Sequence, residues 1–199
     1  AIGREALTSL TSGSNNLAIG YNAGKTLTTG AQNLAIGREA LENHLTGESN
    51  IAIGYLSMGD TDAGTNSQDS DHNTFIGLVS GGGTWANTTS EYNVGVGNYT
   101  LDGAMDDANY NTAVGYAAGS AVTEGDSNVF VGKYAGVAVT TGNLNVALGT
   151  NALVSATSCS ENIAIGYDAL GDADAGEGGN VVIGNEAGNA INNSGADHN

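Results

Sequence analysis

Two acidic turns offer the clearest chemistry in the sequence. Gly59-Asp60-Thr61-Asp62-Ala63-Gly64 and Gly171-Asp172-Ala173-Asp174-Ala175-Gly176 share the pattern Asp-x-Asp-x-Gly. Two carboxylates on one side of a turn, with a glycine permitting the bend, suit a hard cation that takes oxygen ligands. Structural calcium is the cation expected, with Asp60, Asp62, Asp172 and Asp174 as ligands. The competing reading is a pair of solubilising acidic turns. Neither turn supplies the third carboxylate and closing bidentate glutamate of an EF-hand, and Glu177 is a partial substitute at best.

Other reactive residues do not assemble. Gly20-Tyr21-Asn22-Ala23-Gly24-Lys25-Thr26 has three residues between its glycines where a phosphate-binding loop needs four. His44, His72 and His198 lie at loop positions without metal-ligand spacing and read as solvated turn residues. Cys159 is the lone cysteine, so it has no disulfide partner in the chain; it reads as a partly exposed thiol with no base placed to activate it. No set of nucleophile, base and oxyanion donors emerges, and an enzyme is not expected.

Residues suited to contact are better represented. Arg4, Tyr21, Arg38 and Tyr55 recur at one offset in successive repeats, where stacking would give either a cation–π ladder or an amphipathic stripe able to hold sugar rings or a receptor. Trp85, the only tryptophan, and Tyr92 lie in the segment of about 81–92. An aromatic on a mobile loop is a common contact element, but Trp85 could equally fold back over the adjoining coil. The receptor-contact candidates are therefore Trp85, Tyr92, Tyr21, Arg38 and Tyr55.

Composition limits the partners. With 21 acidic against 4 basic residues the net charge is −17, which opposes binding to nucleic acid or an anionic membrane surface. No apolar stretch approaches the roughly 20 residues of a membrane-spanning helix, so membrane insertion is not expected. The chain has 32 Gly, no Pro and 6% aromatic residues, a composition suited to thin, closely spaced layers.

What positions these residues is a repeat. The phrase Asn-x-Ala-Ile-Gly returns with its glycine at Gly3, Gly20, Gly37, Gly54, Gly77, Gly97, Gly115, Gly132, Gly149, Gly166 and Gly184; six of the ten spacings are 17 residues and the others are 18, 18, 20 and 23. With this glycine as position 0, position −1 is always aliphatic and position −3 is Leu, Ile or Val in eight of ten copies. Residues two apart share one face of a strand, so each copy predicts a short β-strand with an aliphatic pair on one face and, usually, Ala between them on the other. Apolar positions do not persist at helical spacing.

Position −4 is Asn throughout: Asn16, Asn33, Asn50, Asn73, Asn93, Asn111, Asn128, Asn145, Asn162 and Asn180. Stacked coil upon coil, these amides form a hydrogen-bonded ladder, or else serve only as turn residues. The predicted fold class is all-β, a parallel β-solenoid of about 17-residue coils forming one repeat domain over 1–199. Longer loops are inserted at about 59–72 and 81–92, and the rod is roughly 50 Å long at about 4.8 Å per coil. Each aliphatic pair is expected to close over the pair beneath it. A coil this short encloses one aliphatic row and some alanines; a second row facing outward would need side-by-side association, with three chains favoured.

The phrases Asn33-Leu34-Ala35-Ile36-Gly37 and Asn162-Ile163-Ala164-Ile165-Gly166 resemble the head repeats of trimeric autotransporter adhesins of the YadA-like type. The longer unit Asn111-Thr112-Ala113-Val114-Gly115-Tyr116-Ala117-Ala118-Gly119 is similar to repeats in bacteriophage tail fibres. The resemblance spans essentially the whole chain and implies a left-handed, homotrimeric β-roll exposed on a cell or virion surface and used for attachment to a glycan or protein receptor. Because the chain opens in mid-motif at Ala1-Ile2-Gly3, it is expected to be a window of a longer fibre. The alternative is a self-assembling extracellular filament or matrix protein without a specific receptor.

Overall fold

The computed structural model describes residues 1–61, 69–173 and 178–189. Ten three-residue strands, β1 (Leu17–Ile19), β2 (Leu34–Ile36), β3 (Ile51–Ile53), β4 (Thr74–Ile76), β5 (Val94–Val96), β6 (Thr112–Val114), β7 (Val129–Val131), β8 (Val146–Leu148), β9 (Ile163–Ile165) and β10 (Val181–Ile183), form one parallel sheet in sequence order. Each residue pairs with its counterpart in the next coil, as Leu17 with Leu34 and Ile19 with Ile36, and Ile2 extends the sheet by a bridge to Ile19. The molecule is a β-solenoid, and no described residue is in an α-helix.

The register follows from the repeat and is locked by two features of each coil. After the strand the anchor glycine takes φ near +135°, and a Cβ on Gly20 would sit 2.2 Å from the Gly37 carbonyl oxygen, so backbone stacks on backbone there with no room for a side chain. Before the strand stands the buried asparagine. The Asn128 backbone N–H and Nδ2 both donate to Asn111 Oδ1 at 3.0 Å, its Nδ2 also donates to the Gly142 carbonyl at 2.8 Å, and its Oδ1 accepts from Asn145. Each asparagine from Asn33 to Asn162 thus ties the coil below to the coil above. Because the side chain replaces a backbone ladder partner at a corner, the buried polar groups there are satisfied.

Three corners per coil use left-handed backbone without requiring glycine. At −5 (Tyr110, φ 60°), +2 (Tyr134, φ 60°) and +4 (Leu153, φ 58°) ordinary side chains occupy a region that costs roughly 1 kcal/mol each. The stack of hydrogen bonds on either side of each corner offsets that cost.

The packing overturns the expected orientation of the strand. The interior holds the middle residue of each strand, usually Ala as at Ala18, Ala35 and Ala164, together with the +3 alanines and the +4 and +7 side chains; both aliphatic rows lie outside. Leu17 is 45% exposed, Leu148 43% and Ile183 67%. A coil of 17 residues is too narrow to enclose two opposed bulky rows, and the row that fits is the one made mostly of alanine. Interior volume is then balanced locally: where the middle residue is Phe130, Gly136 stands at +4, and its missing Cβ would lie 2.3 Å from the Phe130 ring. Where the middle residue is Ala35 or Ala164, +4 is Leu41 or Leu170, both fully buried.

Candidate functional site

Because the middle row turns inward, the outer face of the sheet is a continuous apolar strip. None of the thirty residues in β1–β10 is charged, although the chain carries −17. Exposed along this strip are Ile2, Leu17, Ile76, Val96, Val114, Val129, Leu148, Ile163, Val181 and Ile183, with the remaining aliphatics of the two rows half-buried. A contiguous apolar patch of this length is rare on monomeric soluble proteins.

Position +1 borders this face on one side. The Arg4 guanidinium lies 5.8 Å from the Tyr21 ring, and Arg38 lies 5.8 Å from Tyr21 and 5.5 Å from Tyr55. Sequence spacing therefore brought these four residues together as expected. Tyr21 has a guanidinium on each side, so a sugar ring could stack on it only by displacing one. Higher up, Tyr116 at +1 makes edge-to-face contacts with Tyr99 and Tyr134 at the adjacent +2 position, at 5.7 and 5.5 Å.

Position −5 borders the other side. His72, Tyr92 and Tyr110 stack face to face at 4.9 and 5.1 Å, which covers both faces of Tyr92 and leaves its edge exposed. Beneath this row, position −6 forms a second side-chain ladder that runs opposite to the asparagine one. Asn109 N–H donates to Asp126 Oδ1 at 2.6 Å, Asp126 N–H to Asn143 Oδ1 at 2.6 Å, and Asn143 N–H to Ser160 Oγ at 3.0 Å. Several of the acidic residues thus have a structural role that composition alone did not reveal. The stacked aromatics at −5 were also missed, although His72, Tyr92 and Tyr110 share one offset in consecutive repeats.

Trp85 is corrected as a contact residue. It is fully buried and packs edge to face on Phe75 at 5.9 Å, so it folds back into the coil instead of presenting itself to a receptor. The enlarged coil has interior volume to fill, and a tryptophan fills it; its Nε1 is left without a hydrogen-bond partner. Cys159 is likewise buried, with its carbonyl accepting from Asn145 Nδ2 at 2.8 Å.

His44 is not a solvated turn residue either. It takes an interior position held by Leu27 and Val122 in other coils, where burial lowers its pKa to about 4. Asn50 Nδ2 donates to His44 Nε2 at 3.1 Å, and Nδ1 lies 2.9 Å from Thr61 Oγ1, which itself donates to the Asn43 carbonyl. A neutral ring with its proton on Nδ1 satisfies all of these contacts.

Of the four proposed calcium ligands, Asp62 and Asp174 lie outside the described residues. Asp60 accepts a hydrogen bond from Thr84 Oγ1 at 2.6 Å, which ties two enlarged coils together, and Asp172 is exposed. Among the described residues no group of three or more His, Cys, Asp or Glu is placed to hold a metal ion. No described helix is long and apolar enough to cross a membrane. The chain matches no family model, no curated protein and no solved structure.

Proposed function

We propose that this chain is a structural segment of an extracellular or virion fibre, a rigid spacer that associates side by side with copies of itself and serves attachment to a surface. The observation that carries it is the uncharged apolar strip on the outer sheet face. In a chain of net charge −17, a strip of this length left in water favours association, and the backbone ladders beneath it make the rod stiff. Homotrimeric packing, the number favoured by the resemblance to fibre and adhesin repeats, would cover the strip by closing a ring around it. Attachment would fall to side chains at the borders, of which Tyr21, Arg38, Tyr55 and Tyr92 keep exposed edges.

Light scattering on the purified chain tests the assembly: a mass three times that of the chain is expected, and a monomer at all concentrations overturns it. A filament without a specific receptor is the second reading, favoured by the same strip. Electron microscopy separates the two, since a fibre segment gives particles of one length and a filament gives a continuous distribution. Calcium at the Asp60–Asp62 and Asp172–Asp174 turns rests on the Asp-x-Asp-x-Gly pattern. It predicts a lower melting temperature in chelator, and an unchanged melt removes it.

A further inference from the structure

Tyrosine is the oxidisable side chain that this fold leaves outside. The single cysteine, the single tryptophan and both methionines, Cys159, Trp85, Met58 and Met105, are fully buried, whereas Tyr92 and Tyr110 are 44% and 60% exposed. The Tyr92 and Tyr110 rings stack in consecutive coils, with centroids 5.1 Å apart and planes 2° from parallel. Their backbones explain the match. Both residues stand at −5, both hold the left-handed region, at φ 57° and 60°, and each N–H donates to the −6 carbonyl one coil below, Asp71 or Glu91. Two identical side chains leaving the same backbone conformation at the coil spacing of about 4.8 Å set ring edge beside ring edge. His72 covers the opposite face of Tyr92, so among the described residues Tyr110 is the one phenol stacked on it. Other tyrosines are placed differently. Tyr116 meets Tyr99 and Tyr134 with planes crossed at 75°, which aims the edge of one ring at the face of the other. Tyr21 and Tyr55 face guanidinium groups, whose positive charge opposes loss of an electron from the ring.

We infer that Tyr92 and Tyr110 form an oxidative cross-linking site, at which a one-electron oxidant such as a haem peroxidase with hydrogen peroxide joins the two rings as dityrosine. Each phenol gives up one electron and one proton, and the peroxide takes both electrons and both protons to become two waters. The two phenoxyl radicals combine at their ortho carbons. Each of those carbons then passes its hydrogen, as a proton, to the phenolic oxygen of its own ring, which restores aromaticity. One C–C bond is gained, one hydrogen per ring is lost, and both hydroxyls remain. Parallel stacking favours this pair over the crossed ones, because the bond joins ortho carbon to ortho carbon and rings already side by side need only tilt together. The product closes a covalent loop through the 18-residue spacing between Gly97 and Gly115, the last of the enlarged coils, and constrains the unfolded chain as a disulfide does. It is a staple within one chain and does not depend on association between copies.

The test treats the full chain with a haem peroxidase and hydrogen peroxide and then cuts it at its acidic residues, of which Asp102, Asp106 and Asp107 separate Tyr92 from Tyr110. Cross-linked peptides are identified by mass. The Tyr92–Tyr110 product, lighter by two hydrogens than its two peptides, is expected in about tenfold excess over Tyr99–Tyr116 and over Tyr116–Tyr134. Tyr110→Phe keeps an aromatic ring in the stack and removes one phenol, so dityrosine fluorescence should fall about fivefold, whereas Tyr116→Phe should leave it nearly unchanged. Oxidation in urea, which dismantles the stack, should abolish the preference. Comparable yields from the crossed pairs, a preference that survives in urea, or dityrosine that persists in Tyr110→Phe overturns the inference. So does a bond that joins two chains, or the absence of dityrosine. None of these outcomes depends on the number of chains in the assembly, so failure here leaves the proposed association standing.

Discussion

The coils between Gly54 and Gly115 and those between Gly115 and Gly166 solve the same packing problem with different materials. The first set is enlarged, with spacings of 23, 20 and 18 residues, and is filled by Phe75, Trp85 and Met105; the second keeps 17 residues and is filled by Val122, Val139 and Ala156. Yet the sheet side of both is the same. Asn93 N–H donates to Asn73 Oδ1 at 2.9 Å in the enlarged coils, and Asn145 N–H to Asn128 Oδ1 at 2.9 Å in the regular ones. The comparison shows a division of labour: the asparagine ladder sets register, and the far side of the coil accepts extra residues provided their volume is filled from within.

The largest effect should come from breaking what the two regions share. Asn128→Ala removes the acceptor of two Asn145 donors and the partner of the Gly142 carbonyl, and is expected to cost about 4 kcal/mol in urea denaturation. Asn73→Ala should cost the same to within about 1 kcal/mol. A much smaller loss at Asn73 would mean that the enlarged coils are held in register by something else.

Filling should separate the regions. Trp85→Ala leaves a cavity in an enlarged coil and is expected to cost about 4 kcal/mol, against about 2 kcal/mol for Val139→Ala in a regular one. Trp85→Phe should cost under about 1 kcal/mol, because it also removes the unpartnered indole N–H. Phe130→Ala should cost about 3–4 kcal/mol, and adding Gly136→Leu should recover at least about 1 kcal/mol by converting the coil to the Ala-plus-Leu filling of Ala35 and Leu41. Leu41 already holds the left-handed backbone that the substitution requires, at φ 53°.

The pH dependence is expected to be uneven along the rod. The folded chain keeps His44 unprotonated down to about pH 4, whereas an unfolded chain protonates it near 6.5, so stability is full above that range and falls through it by up to about 3 kcal/mol. Thermal melts of His44→Leu should lose this component. Asp102 acts in the opposite sense: burial raises its pKa from 3.8 to about 6, so its contribution is present in acid and lost as pH rises through that window. Asp102→Asn should raise the melting temperature slightly at pH 7 and leave it unchanged near pH 4, the smallest effect in the series.

Much of this was legible in the repeat. The recurrence of the anchor glycine placed all ten strands, and the invariant Asn at −4 placed the ladder, because a side chain that must bond both neighbours tolerates no substitute. The cation–π row of Arg4, Tyr21, Arg38 and Tyr55 was legible for the same reason. The burial of Trp85, His44 and Cys159 was not, since their positions lie on the variable side of the coil, where occupancy depends on the volume left by neighbouring coils.

By itself the sequence determined the number of coils, their register and the absence of charge from every strand, all of which are periodic properties that one dimension can carry. Which face of the strand turns inward was decided only in three dimensions. Alternation of Ile, Ala and Ile is symmetric with respect to the two faces, and burial of the larger residues would be the ordinary outcome. The circumference of a 17-residue coil reverses that preference by admitting the alanine row and excluding the aliphatic pair, and so leaves the rod with an apolar outer face.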